Sequence, residues 1–553
     1  MAGLWTPWLK PWPSCGDGRT TAESIALAAV SALAGGVVVP YALDFLGVGV
    51  VAPMTATVSA AIAVAVLLSS KPTVRSPAEV VVFGLALATT FATLLWLARP
   101  ELLPPGSGPD LTHHLLLVDY IQQHGTLVHD PDAGAAIGEM AQYTPGLHVL
   151  TVVTAATVGL DPFFVLYPLV AIAIALKFGV FALCVLRLVD QHPAREPFAI
   201  AGTAGLFCLS PFTFGSIVHD SFFAQAVAEL FALTMWWAVI VWDRRPSWWP
   251  IATFAVCGAA TFLTWPIWIG PPVFAFALLL IVRSDLEART RLVYFCGGVA
   301  PAAVAAAVHS LGRTAGLGLA ATSGAVSVPR LTDLGWWLPA VAMAALALST
   351  KSAGRRPLFA FSAALGAQSL ALWWLASVRG ASTPYMALKM MYLAVYPLVA
   401  AIVVAISRKT WSRGWSSAIV LVVVLVGARQ IGSLPRPNPT VSRDLWTAAV
   451  WARERAPSAC IDYLVGNEYT AYWLHLAVLR NRRSDARSTA SSTYETQAAI
   501  ARWLVDDTGP THAVARLSVV PREIRDRVQM LYRSGDAAVL VRPGRCAAAP
   551  HGD

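Results

Sequence analysis

The feature that most constrains this chain is a succession of apolar stretches separated by short loops holding many of its arginines. Each is about 20 residues long, the length a helix needs to cross a hydrocarbon core. Backbone amides cannot stay unpaired in lipid, so stretches of this kind have to be helical. Candidate spans fall near 22–40, 48–69, 78–98, 163–187, 197–215, 221–242, 249–265, 267–283, 291–309, 334–350, 357–377, 390–407 and 416–434. Composition agrees, with 56% of the 553 residues hydrophobic and 13% charged, about half the charged share of a soluble domain. The expected fold is mainly α, a polytopic helical membrane domain of about thirteen spans over residues 1–435.

The charges keep time with these spans. Lys71 and Arg75, Arg187 and Arg195, Arg244 and Arg245, then the segments VRSDLEARTR, KSAGRR and RKTWSRGW occupy alternate loops. By the positive-inside rule those loops and the N-terminus are cytoplasmic, and the C-terminus is outside. The alternation holds only if the short apolar piece 145–160 does not cross, which makes it a re-entrant or surface helix. The N-terminal segment has no apolar core followed by a small-residue cleavage site, so it does not read as a cleavable signal. The net charge of +9 comes with no motif of the kind that binds nucleic acid. A multi-pass protein of the plasma (inner) membrane is the expectation.

Beyond Gly432 the composition changes. The linker SLPRPNPT opens a charged segment, 436–553, in which ACIDYLVG, THAVARL and DAAVLVRP read as strands. RDLWTAAVWARERA and YETQAAIARWLVDD read as amphipathic helices. The expectation is a small extracytoplasmic α/β domain. Cys460 and Cys546 are its two cysteines, and a disulfide between them in an oxidising compartment would contribute about 4 kcal/mol in the chain-entropy model.

Chemistry points to the outer loop at 99–146, where Asp110, Asp119, Asp130, Asp132 and Glu139 sit among His113, His114, His124 and His129. His113 and His114 follow Asp110 by one helical turn. A carboxylate partly desolvated beside a bilayer can work near neutral pH as a base, and the alternative is that Asp110 only caps a surface helix. A divalent cation, Mg or Mn, held by Asp110 or Asp130 together with a substrate phosphate is conceivable, although no zinc-type spacing is present. A second outer loop carries His219 and Asp220, with Gln225 and Glu229 following into the membrane. Carboxylates and amines such as Glu229 and Lys177 inside a span face a cavity or a partner. Arg379 and Lys389 are cations at the outer boundary, able to hold a lipid phosphate or to serve as snorkelling anchors. Trp265 and Trp268 are aromatic-belt residues or platforms for a sugar.

An acid after an early span, a histidine-rich amphipathic helix, the element YTPGLH, a short helix, GLDP and a long span together resemble the GT-C superfamily of integral-membrane glycosyltransferases. Over residues 105–275 the pattern is most similar to cell-wall arabinofuranosyltransferases. The resemblance implies that Asp110, with His113 and His114 beside it, supplies the general base. Tyr143, Pro145 and Gly146 would match a Y-P-P-G element in which Thr144 replaces the first proline. His219 and Asp220 would lie near the donor, and Lys389 or Arg379 would hold its phosphate. The implied partners are a polyprenyl-phosphate-linked sugar donor, a glycan or lipid acceptor and the bilayer. A lipid-linked glycan ligase and a transporter or flippase are the alternatives, and a transporter would be expected to show paired broken helices in inverted repeats.

Overall fold

In the computed structural model the described residues are 19–69, 77–106, 109–129, 137–189, 192, 195–310, parts of 342–349, 354–408, 413–434, 440–456, 461–479, 494–505 and 509–543. The expected span at 334–350, Asp130, Cys460 and Cys546 fall wholly or largely outside them.

The helices are α1 (Thr21–Phe45), α2 (Ala52–Ser69), α3 (Pro77–Leu97), α4 (Pro109–His124), α5 (Gly146–Val158), α6 (Pro162–Leu188) and α7 (Arg195–Cys208). They continue with α8 (Phe223–Arg244), α9 (Trp248–Thr264), α10 (Gly270–Val282), α11 (Ala288–Ser310), α12 (Arg355–Val378), α13 (Tyr385–Ile406) and α14 (Arg413–Gly432). Among the described residues 8 helices are long and apolar enough to cross a membrane, or 9 if α7 and its continuation Pro211–Val218, bent by 67°, count as one. The chain is a polytopic membrane protein. The bend falls where Pro211 lacks an amide to donate and the chain makes a π-type turn, both known causes of kinks. α5 has 13 residues, roughly 20 Å at 1.5 Å per residue, short of a bilayer core.

α6 and α8 form the centre, buried along nearly their whole length. The other helices wrap them and expose apolar residues such as Leu68, Ile281 and Trp374 outward, which in lipid carries no penalty. Arginine pairs gather at one end of the bundle. Thr20 caps α1 in a reciprocal box with Glu23, and the same Glu23 carboxylate pairs with Arg187 at the end of α6. Arg195 meets Glu79 at 2.5 Å, joining the starts of α7 and α3. Arg283 joins the ends of α10 and α8 through Asp243.

At the other end the chain closes with α15 (Arg443–Arg455), β1 (Ile461–Leu464), α16 (Glu468–Trp473), α17 (Thr496–Val505), β2 (His512–Arg516), β3 (Gln529–Ser534) and β4 (Ala537–Val541). The sheet runs β1-β2-β4-β3, with β1 parallel to β2 and the other pairs antiparallel. α15 buries Leu445, Ala448, Ala449 and Ala452, the i, i+3, i+4, i+7 stripe of a packed helix. This unit sits on the membrane helices: Phe163 at the start of α6 stacks with the rings of Trp446 and Trp473, and Thr440 N donates to Gly106 O.

Candidate active site

The end of the bundle opposite the arginine pairs gathers most of the residues singled out in the sequence. α4, which carries Asp110 in its first turn, runs outside the candidate spans. Its His113 ring meets Tyr472 edge-on at 5.8 Å. His114 is buried, and its Nδ1 shares a 2.9 Å hydrogen bond with Nε2 of His148 on α5. A hydrogen bond between two neutral imidazoles puts the proton on one of these nitrogens and leaves the other bare, so the tautomers of the two rings are coupled. Burial, reinforced by His148 and His113, holds the His114 imidazole well below its ordinary pKa.

The bent continuation of α7 delivers His219, Asp220 and Ser221 to the same place. Ser221 has φ 54°, a left-handed conformation costly for a residue with a Cβ. Its neighbour across the loop is Gly106, where a Cβ would lie 1.5 Å from the Ser221 hydroxyl, so any larger residue would have to displace the Ser221 side chain. Asp220 is pushed up to about 7, first by burial and then by the charge of Asp110, while Lys389 pulls it back. Burial also lowers His219.

Lys389 is the cation of the cluster. It is 3% exposed, two turns before Tyr396 on the buried face of α13. Its Nζ lies 3.6 Å from the ring centre of Phe222, 4.7 Å from Tyr385 and 4.9 Å from Trp265. Such faces stabilise a desolvated ammonium by about 2 kcal/mol or more. Among the described residues no carboxylate makes an ion-pair contact with it, although Asp110 and Asp220 both act on it through their fields. Trp265, at the end of α9, packs 5.8 Å from Tyr143, which in turn touches His114 and His148. Thr144 Oγ1 donates to Thr264 O at 3.1 Å, so the residue in the proline's place ties this element to the end of α9. Gly146 is needed there because a Cβ would come within 2.7 Å of Leu263 O.

Three polar atoms in or beside the cluster, Ser221 Oγ, Trp265 Nε1 and Tyr392 OH, are buried without a hydrogen-bond partner in the protein. Buried polar atoms are normally paired, and the exceptions call for a ligand, water or strain. Phe222, Tyr385 and Ser221 escaped sequence reasoning. Tyr385, four residues before the boundary lysine, carried an available signal, whereas nothing local tied Phe222 or Ser221 to the cluster.

Gln225 belongs elsewhere. Its Nε2 faces Glu229 Oε1 at 3.4 Å, and Glu229 Oε2 binds Lys177 Nζ at 2.6 Å and Tyr396 OH at 3.1 Å. The intramembrane charges are thus partners of each other. Arg379 caps α12 and is exposed. Among the described residues no three His, Cys, Asp or Glu side chains group as metal ligands. An apolar cavity of about 610 Å³ opens between α3, α7 and α14, lined by Leu85, Trp96, Phe207, Val424 and Ile431 among others.

The class these features define is a polytopic helical membrane protein with a charged, aromatic-walled cluster at one end of its bundle. No protein-family model matches the sequence, and no curated protein matches it. In structure the chain is similar to ArnT from Cupriavidus metallidurans in the apo state, with TM-score 0.46 and 13% identity over 83% of this chain and 97% of that one. It is also similar to the same protein bound to undecaprenyl phosphate, with TM-score 0.39, 13% identity and the same coverage.

Proposed function

We propose that the chain is a membrane glycosyltransferase of the GT-C type, moving a sugar from a polyprenyl-phosphate donor to an envelope acceptor on the extracytoplasmic face. The observation that carries this reading is Lys389: a buried ammonium in an aromatic cage, in the fields of Asp110 and Asp220. Departure of a lipid phosphate builds negative charge, and a preorganised cation placed for it is worth several kcal/mol in the transition state. The side assignment follows from the arginines, which collect at the far end of the bundle. The apolar cavity between α3, α7 and α14 suits an isoprenoid tail. Residues 436–553 act as an outer domain.

In this mechanism Asp110 takes the proton from the acceptor hydroxyl as the oxygen attacks the anomeric carbon, and the bond to phosphate breaks toward Lys389. Asp220, half-protonated near neutrality, donates a hydrogen bond to a phosphate oxygen. That same poise favours a second reading in which Asp220 is the base. The test is transfer by purified protein in proteoliposomes, with lipid-linked sugars extracted from the host. Asp110→Asn should abolish transfer while the protein stays folded and inserted; full activity would remove it from the mechanism and leave Asp220→Asn as the variant to examine. Lys389→Met should impair use of the donor, and kinetics unchanged from wild type would dismiss the phosphate role.

A further inference from the structure

A second polar recess lies where α4 meets the C-terminal unit. It is a cleft of about 160 Å³ bounded by Asp119 and Gln122 of α4, Asp161 before α6, Trp446 and Arg453 of α15, and Trp473 of α16. At roughly 30 Å³ per water it has room for about five waters, the scale of one sugar ring and too small for a lipid headgroup with its chains. Its chemistry suits a sugar. Carboxylates and an amide accept and donate to vicinal hydroxyls, a guanidinium adds donors, and the half-buried Trp446 indole offers a flat surface to C–H groups. The recess is also rigid. Trp446 and Trp473 both stack on Phe163, at 5.7 and 5.5 Å between ring centres. Asp161 accepts from Phe163 N at 2.8 Å, and Arg453 donates to Val478 O at 2.8 Å.

The recess is separate from the Lys389 cluster. Asp119 and Gln122 follow Asp110 by nine and twelve residues, about 14 to 18 Å along the helix axis and on a different face. A ligand that reaches both places has to cross α4 obliquely and be longer than one monosaccharide. We propose that this cleft binds a sugar unit of the acceptor remote from the reacting end, so that the acceptor is a glycan chain rather than a lipid or a free sugar. The proposal rests on the glycosyltransferase reading above and narrows its acceptor class. One fold thereby separates recognition of the polymer, at the junction with the C-terminal unit, from chemistry at the start of α4.

The test is binding of size-fractionated oligosaccharides, from single sugars upward, prepared by partial hydrolysis of the host's envelope polysaccharide. It uses full-length protein in lipid nanodiscs. Chains should bind and single sugars should not. Asp119→Asn should weaken chain binding roughly tenfold or more, the scale of one hydrogen bond to a charged group. Trp446→Ala should do the same, while Trp446→Phe keeps the flat surface and retains binding. Chain affinity unchanged in both Asp119→Asn and Trp446→Ala overturns the subsite, as does equal affinity for single sugars and chains. Asp110→Asn separates the two claims: it should lose transfer while still preferring chains to single sugars. Retained transfer in that variant sinks the catalytic assignment and leaves the subsite standing.

Discussion

Lys177 and Glu229 place two charges inside the most deeply buried pair of helices, and removing one of them is the sharpest perturbation the fold offers. Their side chains are 1% and 5% exposed, and the Nζ–Oε2 distance is 2.6 Å. In Lys177→Met the Glu229 carboxylate keeps, among the described residues, Tyr396 OH and the Gln225 amide. Breaking a buried pair by removing one partner costs about 3–5 kcal/mol, roughly two to three and a half decades in the folding equilibrium. Removing both charges together, as Lys177→Met with Glu229→Gln, should be far milder, because no uncompensated charge is left in the membrane interior. The assay is a double-mutant cycle by SDS-induced unfolding of detergent-solubilised protein. The expected coupling energy is at least about 2 kcal/mol. There is a functional consequence as well. Tyr396 and Lys389 are seven residues apart on one face of α13, and Glu229 and Phe222 are seven apart along the chain entering α8. The Glu229–Tyr396 bond therefore holds together the two helices whose outer ends form the Lys389 cage. If Lys177→Met and Glu229→Gln each cost under about 1 kcal/mol and simply add, the pair is not the clamp its geometry describes.

Three further expectations follow from the same geometry. Asp220 has a folded pKa near 7, raised above its ordinary value, so the fold is favoured with its carboxyl protonated. Stability from this group is fully present below about pH 4 and is lost as pH rises through 7. Asp220→Asn should therefore gain on wild type in thermal melts at pH 8 relative to pH 5; an equal difference at both would show that its surroundings do not hold the proton. Gly146→Ala pushes a methyl against Leu263 O and Thr264 Oγ1, an overpacking worth about 1–3 kcal/mol. It should also reduce transfer by displacing Trp265, and wild-type melting and activity would contradict the close approach. Gly106→Ala collides with the Ser221 side chain and should impair transfer more than Gly84→Ala, whose added carbon meets nothing within 4 Å.

How much of this could be read from the chain depends on what each residue pays for its place. Charges in an apolar chain are costly, so Asp110, His114, Asp220, Glu229, Lys177 and Lys389 stand out, and the structure joins them into two polar clusters. The mutual pairing of Lys177 with Glu229 was open in the sequence because residues 52 apart carry no helical phase with respect to each other. The choice between Lys389 and Arg379 turns on a phase that was present. Lys389 shares its stripe with Met386, Leu393 and Tyr396, all buried on α13, whereas Arg379 follows the last turn of α12. In the C-terminal unit β1, β2 and β4 matched apolar runs, while β3 was missed. QMLYRS is an edge strand with largely exposed side chains, so no alternation marks it. Its position comes from pairing with β4 through the turn at Gly535, and a Cβ there would strike the Asp444 carboxylate.

Ser221 shows where such reading stops. Its side chain packs against a glycine 115 positions earlier, brought there by the loop between α3 and α4. No window of sequence contains both residues. What the sequence does contain is the cost of every charge it places among hydrocarbon, and that cost locates a polar site before any geometry is known. Which side chain then touches which is settled by the helix ends. Seven of them meet at this end of the bundle: the starts of α4, α5, α8 and α13, the end of α9, the bent continuation of α7, and the entry to α6 that carries Phe163. A site assembled from helix ends can shift its residues by one turn without disturbing the hydrophobic pattern that folds the spans. Gln225, in the first turn of α8 and bonded to Glu229 one turn further on rather than placed beside Asp220, is the residue that shows it.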